Sequence, residues 1–313
     1  MRLVTRPDFD GIVCGALITA LEEIDSYLFV EPKFMQDGVV DIRPGDIIAN
    51  LPYHPACSLW FDHHFTNGAA GFDRPVIAGR GAFRMAPSAA RVVYEYYSEV
   101  PSASPARYRS GRDMMRTDRV TELLRDTDKI DGGTLTRDDV LDPAGYVLVS
   151  MTIYGKEDAE EPYWRRLIEL IRERPLPEIL DDPEVRVRCE RILASQERLR
   201  RQLLERAELR GNVIVLDLRD TEDLTDANRF LLYTLFPEGN ISMKIARDPQ
   251  RADTTAISVG YNIFNTTSTV NVGELLSHHG GGGHRVVGSC RVPDGEAGRA
   301  IDEILRHISE PAV

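Results

Sequence analysis

Cysteine is scarce in this chain. Its 313 residues include four, Cys14, Cys57, Cys189 and Cys290. They are far apart and form no Cys-x-x-Cys pair, which excludes a thiolate zinc site and a disulfide framework and reads as reduced thiols. Long apolar runs are missing too, and none approaches the ~20 residues that cross a bilayer. The first residues, MRLVTRPDFDG, lack the apolar segment of a secretory signal, so a cytoplasmic location is expected. Positive charge is in the minority, with 38 Lys and Arg against 50 Asp and Glu, a net charge of −12. That balance argues against tight binding of duplex DNA, which needs a basic surface. It leaves room for a short phosphorylated ligand, because bound divalent cations supply local positive charge. With 42% hydrophobic and 28% charged residues, the composition is that of a folded protein, and the length suffices for two domains with a core each.

The densest chemistry lies at Phe61-Asp62-His63-His64, entered from the apolar Leu59-Trp60. This is the pattern of a buried strand opening into a ligand-bearing loop, and open α/β sheets bind ligands at that end of their strands. Unpaired burial of such side chains costs roughly 2–7 kcal/mol per polar group, so an ordinary core is a poor explanation for three in a row; a polar loop is the plain alternative. A second such place follows Leu3-Val4-Thr5. The strand breaks at Arg6-Pro7-Asp8-Phe9-Asp10-Gly11, and helical periodicity starts at Ile12. Asp8 and Asp10, two apart on a strand-to-helix turn, can converge on one cation, with Gly11 letting the backbone fold tightly. The plain reading is one capping and one solvated aspartate.

Tyr27–Val30 and Gly45–Asn50 are further strand candidates, Asn50 ending the second. Short apolar strands alternating with helices indicate a parallel sheet. A helix is expected from Pro87-Ser88 to Tyr97, then an irregular stretch over 101–117. Val120–Leu124 reads as helix running into a turn, Arg125 to Gly133, that carries Asp126, Asp128 and Asp131. A helix surrounds Trp164–Arg172. Asp181-Asp182-Pro183 signals the start of a long helix over 184–210, with Val185, Cys189, Ile192, Leu199 and Leu203 on one stripe and Gly211 as its stop. Charged on its other faces, it reads as a bridge between domains. Strands are expected at Asn212–Asp217, Ile241–Ala246, Ala256–Gly260 and Ser289–Val292, with helices from Val272 and over Ala297–Ile308. Gly280 to Gly283 and His284 follow the first of these helices. Consecutive glycines cost entropy and suit close backbone approach to a ligand or phosphate; a bare linker is the alternative.

Together these stretches resemble the DHH phosphoesterase superfamily over nearly the whole chain. Thr5–Gly11 is similar to its first motif, Phe61–His64 to its name-giving motif, and Gly280–His284 to the signature of the DHH-associated domain. The members it most resembles are exopolyphosphatase-related, near the RecJ-type exonucleases and nanoRNases. The resemblance implies an α/β fold. A parallel-sheet DHH domain (1–180) would hold the metal, a linker helix (181–211) would follow, and a smaller α/β domain (212–313) would bind substrate. It implies one or two Mn2+ ions, with Mg2+ as the other candidate, and in-line attack of water on phosphorus. By position, Asp8, Asp10 and His63 would be metal ligands, Asp62 a ligand or an orienting group, and His64 would face the phosphate. The late ligand would be Asp128, with Asp126 and Asp131 as alternatives. Gly281, Gly282, Gly283 and His284 would bind the rest of the substrate.

Three positions depart from the family pattern. Arg6 stands where many members have His, Asn50 where a bridging Asp usually ends the second motif's strand, and Thr266 where an Arg often grips phosphate. Asn50 would then border the substrate site as a neutral, poor bridge, and Arg6 could contact phosphate through its fork. Two functions from different classes follow. One is a manganese-dependent phosphoesterase acting on a short single-stranded oligonucleotide, nucleoside phosphate or polyphosphate. The other is a DHH-fold protein that binds such a ligand without turnover. The expected partner is the small substrate, with a homodimer compatible and no membrane. A processive exonuclease is disfavoured by the charge balance and the lack of added basic or aromatic modules.

Overall fold

Ligand-type residues on separate strands can meet only if those strands are neighbours in register, and the first sheet provides this. The computed structural model describes residues 1–64, 81–99, 116–153, 158–220, 228, 230–248 and 251–309. Most of the stretch expected to be irregular, 101–115, lies outside them. Strands β1 (Arg2–Thr5), β2 (Ser26–Phe29), β3 (Ile47–Ala49), β4 (Leu59–Asp62) and β5 (Gly81–Phe83) form a sheet in the order β2-β1-β3-β4-β5. Every pairing is parallel. Thr5, Ala49 and Phe61 lie side by side across three strands. The residues that follow them, Arg6 to Asp10, Asn50, and Asp62 to His64, therefore leave the sheet at one edge.

The strands are apolar on both faces, with Leu3, Val4, Ile47, Ile48 and Phe61 fully buried, as parallel sheets require. Helix α1 (Phe9–Leu21) is buried nearly all round. It starts three residues before the expected Ile12, because the Asp8 side chain accepts from Gly11 N and caps it. A Cβ at Gly11 would collide with the Arg6 carbonyl oxygen, so the turn needs this glycine. After α2 (Pro32–Gln36) come α3 (Ala89–Glu99), α4 (Asp118–Asp131), α5 (Arg137–Leu141), α6 (Gly145–Met151), α7 (Glu161–Glu173) and α8 (Leu176–Asp181). The run from Arg125 to Asp131 is the end of a helix, not a turn. Its aspartates sit on α4, which stops only at Gly132.

The long helix, α9, runs Pro183–Arg206, with Asp182 accepting from Glu184 N and Val185 N. Its stripe of Val185, Cys189, Ile192, Leu199 and Leu203 is buried. The last residues expected to be helical instead form β6 (Ala207–Arg210), turned at Gly211 (φ 61°) onto β7 (Val213–Asp217). The chain divides into two compact units, Met1–Thr134 with Ala144–Cys189, and Leu135–Pro143 with Glu190–Val313. The division falls inside α9. The 135–143 segment is held in the second unit where Val140 and Leu141 carbonyls accept from Asn228 and Gln196 side chains.

The second unit also contains α10 (Leu231–Leu235), β8 (Ile241–Arg247), β9 (Thr254–Tyr261), α11 (Val272–Ser277), β10 (Gly282–Gly283), β11 (Val287–Pro293) and α12 (Asp294–Ser309). Its six-stranded sheet has the order β10-β11-β9-β8-β7-β6, antiparallel except between β7 and β8. Val213, Ile241, Met243, Ile257, Val259 and Ile304 centre its core. The protein is thus α/β, with a parallel-sheet first unit and a mixed second one. No helix among the described residues is long and apolar enough to cross a membrane.

Candidate metal centre

Asp10 is the most constrained carboxylate at the sheet edge. It is 2% exposed, and its two oxygens accept from Ala89 N and Ala90 N, each at 2.8 Å. These are the first N–H groups of α3, which otherwise lack intrahelical partners and favour an anion. Ser88 caps the same helix by accepting from Arg91 N. Burial, and then the Asp131 charge, push the Asp10 carboxyl well above the usual range. His63 leaves β4 and turns its ring so that Nδ1 donates to the Ala86 carbonyl at 2.9 Å, since a carbonyl can only accept. Its Nε2 lies 3.1 Å from Asp131 Oδ2 and 3.9 Å from Asp10 Oδ2. Burial pulls the His63 imidazolium down, but Asp131 and Asp10 outweigh it and hold it up to about 9.

Asp10, His63 and Asp131 thus offer ligand atoms all within 4.8 Å of one another. His63 Nε2 is buried, makes no well-aligned hydrogen bond and has the Asp131 and Asp10 carboxylates as its nearest partners. Two carboxylate oxygens and one such nitrogen suit a hard-to-borderline divalent cation. The donors fit one ion.

The other expected residues are placed differently. Asp62 is fully buried, and His64 Nδ1 sits 2.8 Å from its Oδ1, an arrangement that fixes the His64 ring. The two His rings meet edge to face, centroids 4.3 Å apart. Asp8 faces Arg6, Asn50 and the Gly11 N–H. Asp128, one helical turn before Asp131, accepts from Ser88 Oγ at 2.6 Å and from Arg91 Nε and Nη2 at 3.0 and 2.5 Å. Asp126 pairs with its neighbour Arg125. The structure therefore groups Asp10 and His63 with Asp131, and gives Asp128 to an arginine. Arg91 went unnoticed in the sequence, and Ser88 was read only as part of the Pro87-Ser88 helix start.

In the second unit, Gly281 to His284 form a strand hairpin. A Cβ at Gly281 would collide with Ser289 O, and one at Gly283 (φ 150°) with Gly288 Cα and Val287 O. His284 N donates to Val287 O at 2.7 Å, and its carbonyl accepts from Gly273 N at 2.9 Å. Internal packing thus explains two of these glycines. At Gly282 a Cβ would meet nothing within 4 Å. Thr266 is exposed.

Compared with solved structures, the chain is similar to the pGpG-specific phosphodiesterase PggH of Vibrio cholerae. Identity is 33%, 98% of each chain is covered, and the TM-score is 0.76. The chain belongs to the DHH phosphoesterase superfamily. It is a hydrolase of phosphate esters. The DHH fold recurs in an exopolyphosphatase-related protein of Bacteroides fragilis at 13% identity, TM-score 0.55, covering 98% of this chain and 92% of that one. It recurs in RecJ of Thermus thermophilus with Mn2+ at 12% identity, TM-score 0.56, covering 99% of this chain and 52% of RecJ. No family model matches the sequence, and no curated protein does. In this DHH protein the name-giving triplet divides its labour: His63 faces the carboxylate pair, while Asp62 and His64 bind each other.

Proposed function

We propose that this chain is a divalent-metal-dependent phosphodiesterase that hydrolyses a short linear oligonucleotide, with pGpG as the first candidate and Mn2+ as the first candidate ion. The observation that carries the reading is the Asp10–His63–Asp131 group at the carboxyl edge of a parallel sheet, in a chain 33% identical over 98% of its length to a pGpG-specific phosphodiesterase. Asp10, His63 and Asp131 would hold the ion. Bound there, it would lower the pKa of the attacking water and screen charge on the phosphate.

The chain's own residues supply the rest. The α3 N-terminus orients Asp10. Asp62 holds His64 through Nδ1, and an imidazole fixed in this way is the candidate to hydrogen-bond a phosphate oxygen or protonate the leaving oxygen. Arg6 supplies a fixed positive charge beside Asp8. Gly282 and His284 are the candidates for contacting the nonreacting part of the substrate. The acidic balance of the chain suits a dinucleotide better than a long polyanion.

The test is a hydrolysis screen of pGpG, another linear dinucleotide, a longer single strand, polyphosphate and bis-p-nitrophenyl phosphate, each with Mn2+, Mg2+ or a chelator. GMP release from pGpG that the chelator abolishes is expected. Absence of product from every substrate would reject the reading, and pGpG binding without hydrolysis would favour a binding protein.

A further inference from the structure

Asp8 lies two residues from Asp10 and leaves the same strand, yet its oxygens already have partners. Oδ1 accepts from Gly11 N and from Asn50 Nδ2, both at 2.9 Å. Oδ2 lies 3.1 Å from Arg6 Nη1. The Arg6 guanidinium is part-buried, with Glu31 at 3.9 Å from Nε. The Asp8 charge raises its pKa further, so it stays cationic throughout the working range. Asn50 is fully buried and uncharged. It holds φ at 57°, a conformation asparagine tolerates better than most residues.

A cation at Asp8 would have to displace Arg6 Nη1 and the Asn50 amide. It would then leave the guanidinium beside a divalent charge with its anion taken away, and breaking a part-buried pair in this way is costly. The only group of three His, Cys, Asp or Glu side chains placed to share an ion among the described residues is Asp10, His63 and Asp131. The resemblance implied one or two ions; at the second position the only carboxylate, Asp8, is held by Arg6, and what remains is the neutral Asn50 Oδ1, a weak donor for a divalent ion.

We propose that the centre is mononuclear: one divalent ion at Asp10, His63 and Asp131, with Arg6, paired to an Asp8 that Asn50 also holds, supplying the second positive charge. The proposal rests on the metal-dependent reading above and sharpens it. Arg6 is then a permanent part of the electrostatics rather than a group that awaits a metal.

The test counts ions. Chelator-stripped full-length protein is titrated with Mn2+, with and without inorganic phosphate, and bound ions are counted by native mass spectrometry and calorimetry. Electron paramagnetic resonance separates an isolated Mn2+ from an exchange-coupled pair. One ion per chain with the spectrum of an isolated ion is expected. Arg6→His combined with Asn50→Asp is expected to admit a second, weaker ion and to produce the coupled spectrum. Two ions in the unaltered protein, even if the second needs phosphate, overturn the mononuclear proposal and leave the phosphodiesterase reading standing. A double variant that folds and still binds one ion overturns the role given to Arg6 and Asn50. No bound ion, with hydrolysis indifferent to chelator, overturns both. If the double variant does not fold, the count on the unaltered chain decides.

Discussion

Loading the metal-free protein with Mn2+ is expected to expel a proton, and affinity is expected to rise with pH. His63 Nε2 points between Asp131 and Asp10, and these carboxylates outweigh burial to hold the imidazolium up to about 9. An imidazole must be neutral to ligate, so the ion competes with that proton. At pH 7, two pH units below, about one molecule in a hundred presents neutral His63. At about 1.4 kcal/mol per pH unit, binding at pH 7 is then weaker than at high pH by on the order of 100-fold, or about 3 kcal/mol. Asp10 is pushed up by burial and by Asp131, so any proton it carries acts in the same direction. The effect on the metal-free fold has the opposite sign. The folded value lies above the unfolded value of about 6.5, so protonation stabilises the fold fully below pH 6.5, and that contribution is lost as pH rises through about 9. Calorimetry in buffers of different ionisation enthalpy, between about pH 6.5 and 9, would count the released protons. Flat affinity over that range with no proton release would refute the placement of His63 Nε2 at the ion.

Asp131→Ala should abolish ion binding, whereas Asp128→Asn should leave it and lower stability by about 1–3 kcal/mol through the weakened contacts of Ser88 and Arg91. Calorimetry and urea unfolding check the pair, and the reverse pattern would return the ligand role to Asp128. Asp62→Ala should reduce kcat by about 10- to 100-fold with the ion retained, because it frees the His64 ring; unchanged steady-state kinetics would deny that the orientation matters. Gly283→Ala should destabilise the protein by about 2–5 kcal/mol from its positive φ and the collision with Gly288. Gly282→Ala should leave unfolding unchanged within about 0.5 kcal/mol but raise KM for pGpG. If KM does not move, Gly282 has no part in substrate binding.

How much of this was legible in the sequence depended on how local the cause was. Thr5 and Phe61 end strands whose apolar runs are short and continuous, and the ligand-type residues after them are visible as strings. The carboxyl edge could therefore be located from strands β1, β3 and β4 alone. The run from Arg125 to Asp131 was harder. Aspartates are poor helix formers in the interior, and Gly132-Gly133 suggested a turn, yet the buried Val120, Leu123, Leu124 and Thr127 carry α4 through to Asp131. Once the helix is intact, Asp128 and Asp131 lie one turn apart, and only the position of Arg91 on another helix separates them. That is tertiary information. So is the end of α9: Ala207–Arg210 continues the helical charge pattern, and its pairing with Val213–Leu216 across Gly211 is what makes it a strand. The glycine tract was conspicuous, but part of its cause is the backbone of β11 pressed against it, which composition cannot reveal.

What sorts the carboxylates at this edge is the charge each one faces. Asp8 is matched by the Arg6 guanidinium and Asp128 by Arg91, while Asp62 shares a hydrogen bond with His64 Nδ1. Asp10 faces two backbone N–H groups, the Cys14 thiol and His63, and Asp131 faces His63. Once the ion has displaced the His63 proton, Asp10 and Asp131 have no cation among the described residues in contact with them, only Arg6 at longer range, and one divalent ion balances them. A second ion would bring two more positive charges to an edge where Asp8 and Asp128 are already neutralised. A Lys at position 6 would keep the charge but not the planar guanidinium that places Nη1 3.1 Å from Asp8, so Arg6→Lys should preserve the one-ion count while loosening Asp8. The electrostatics of this edge are thus set as much by two arginines and an asparagine as by the Asp-His-His triplet.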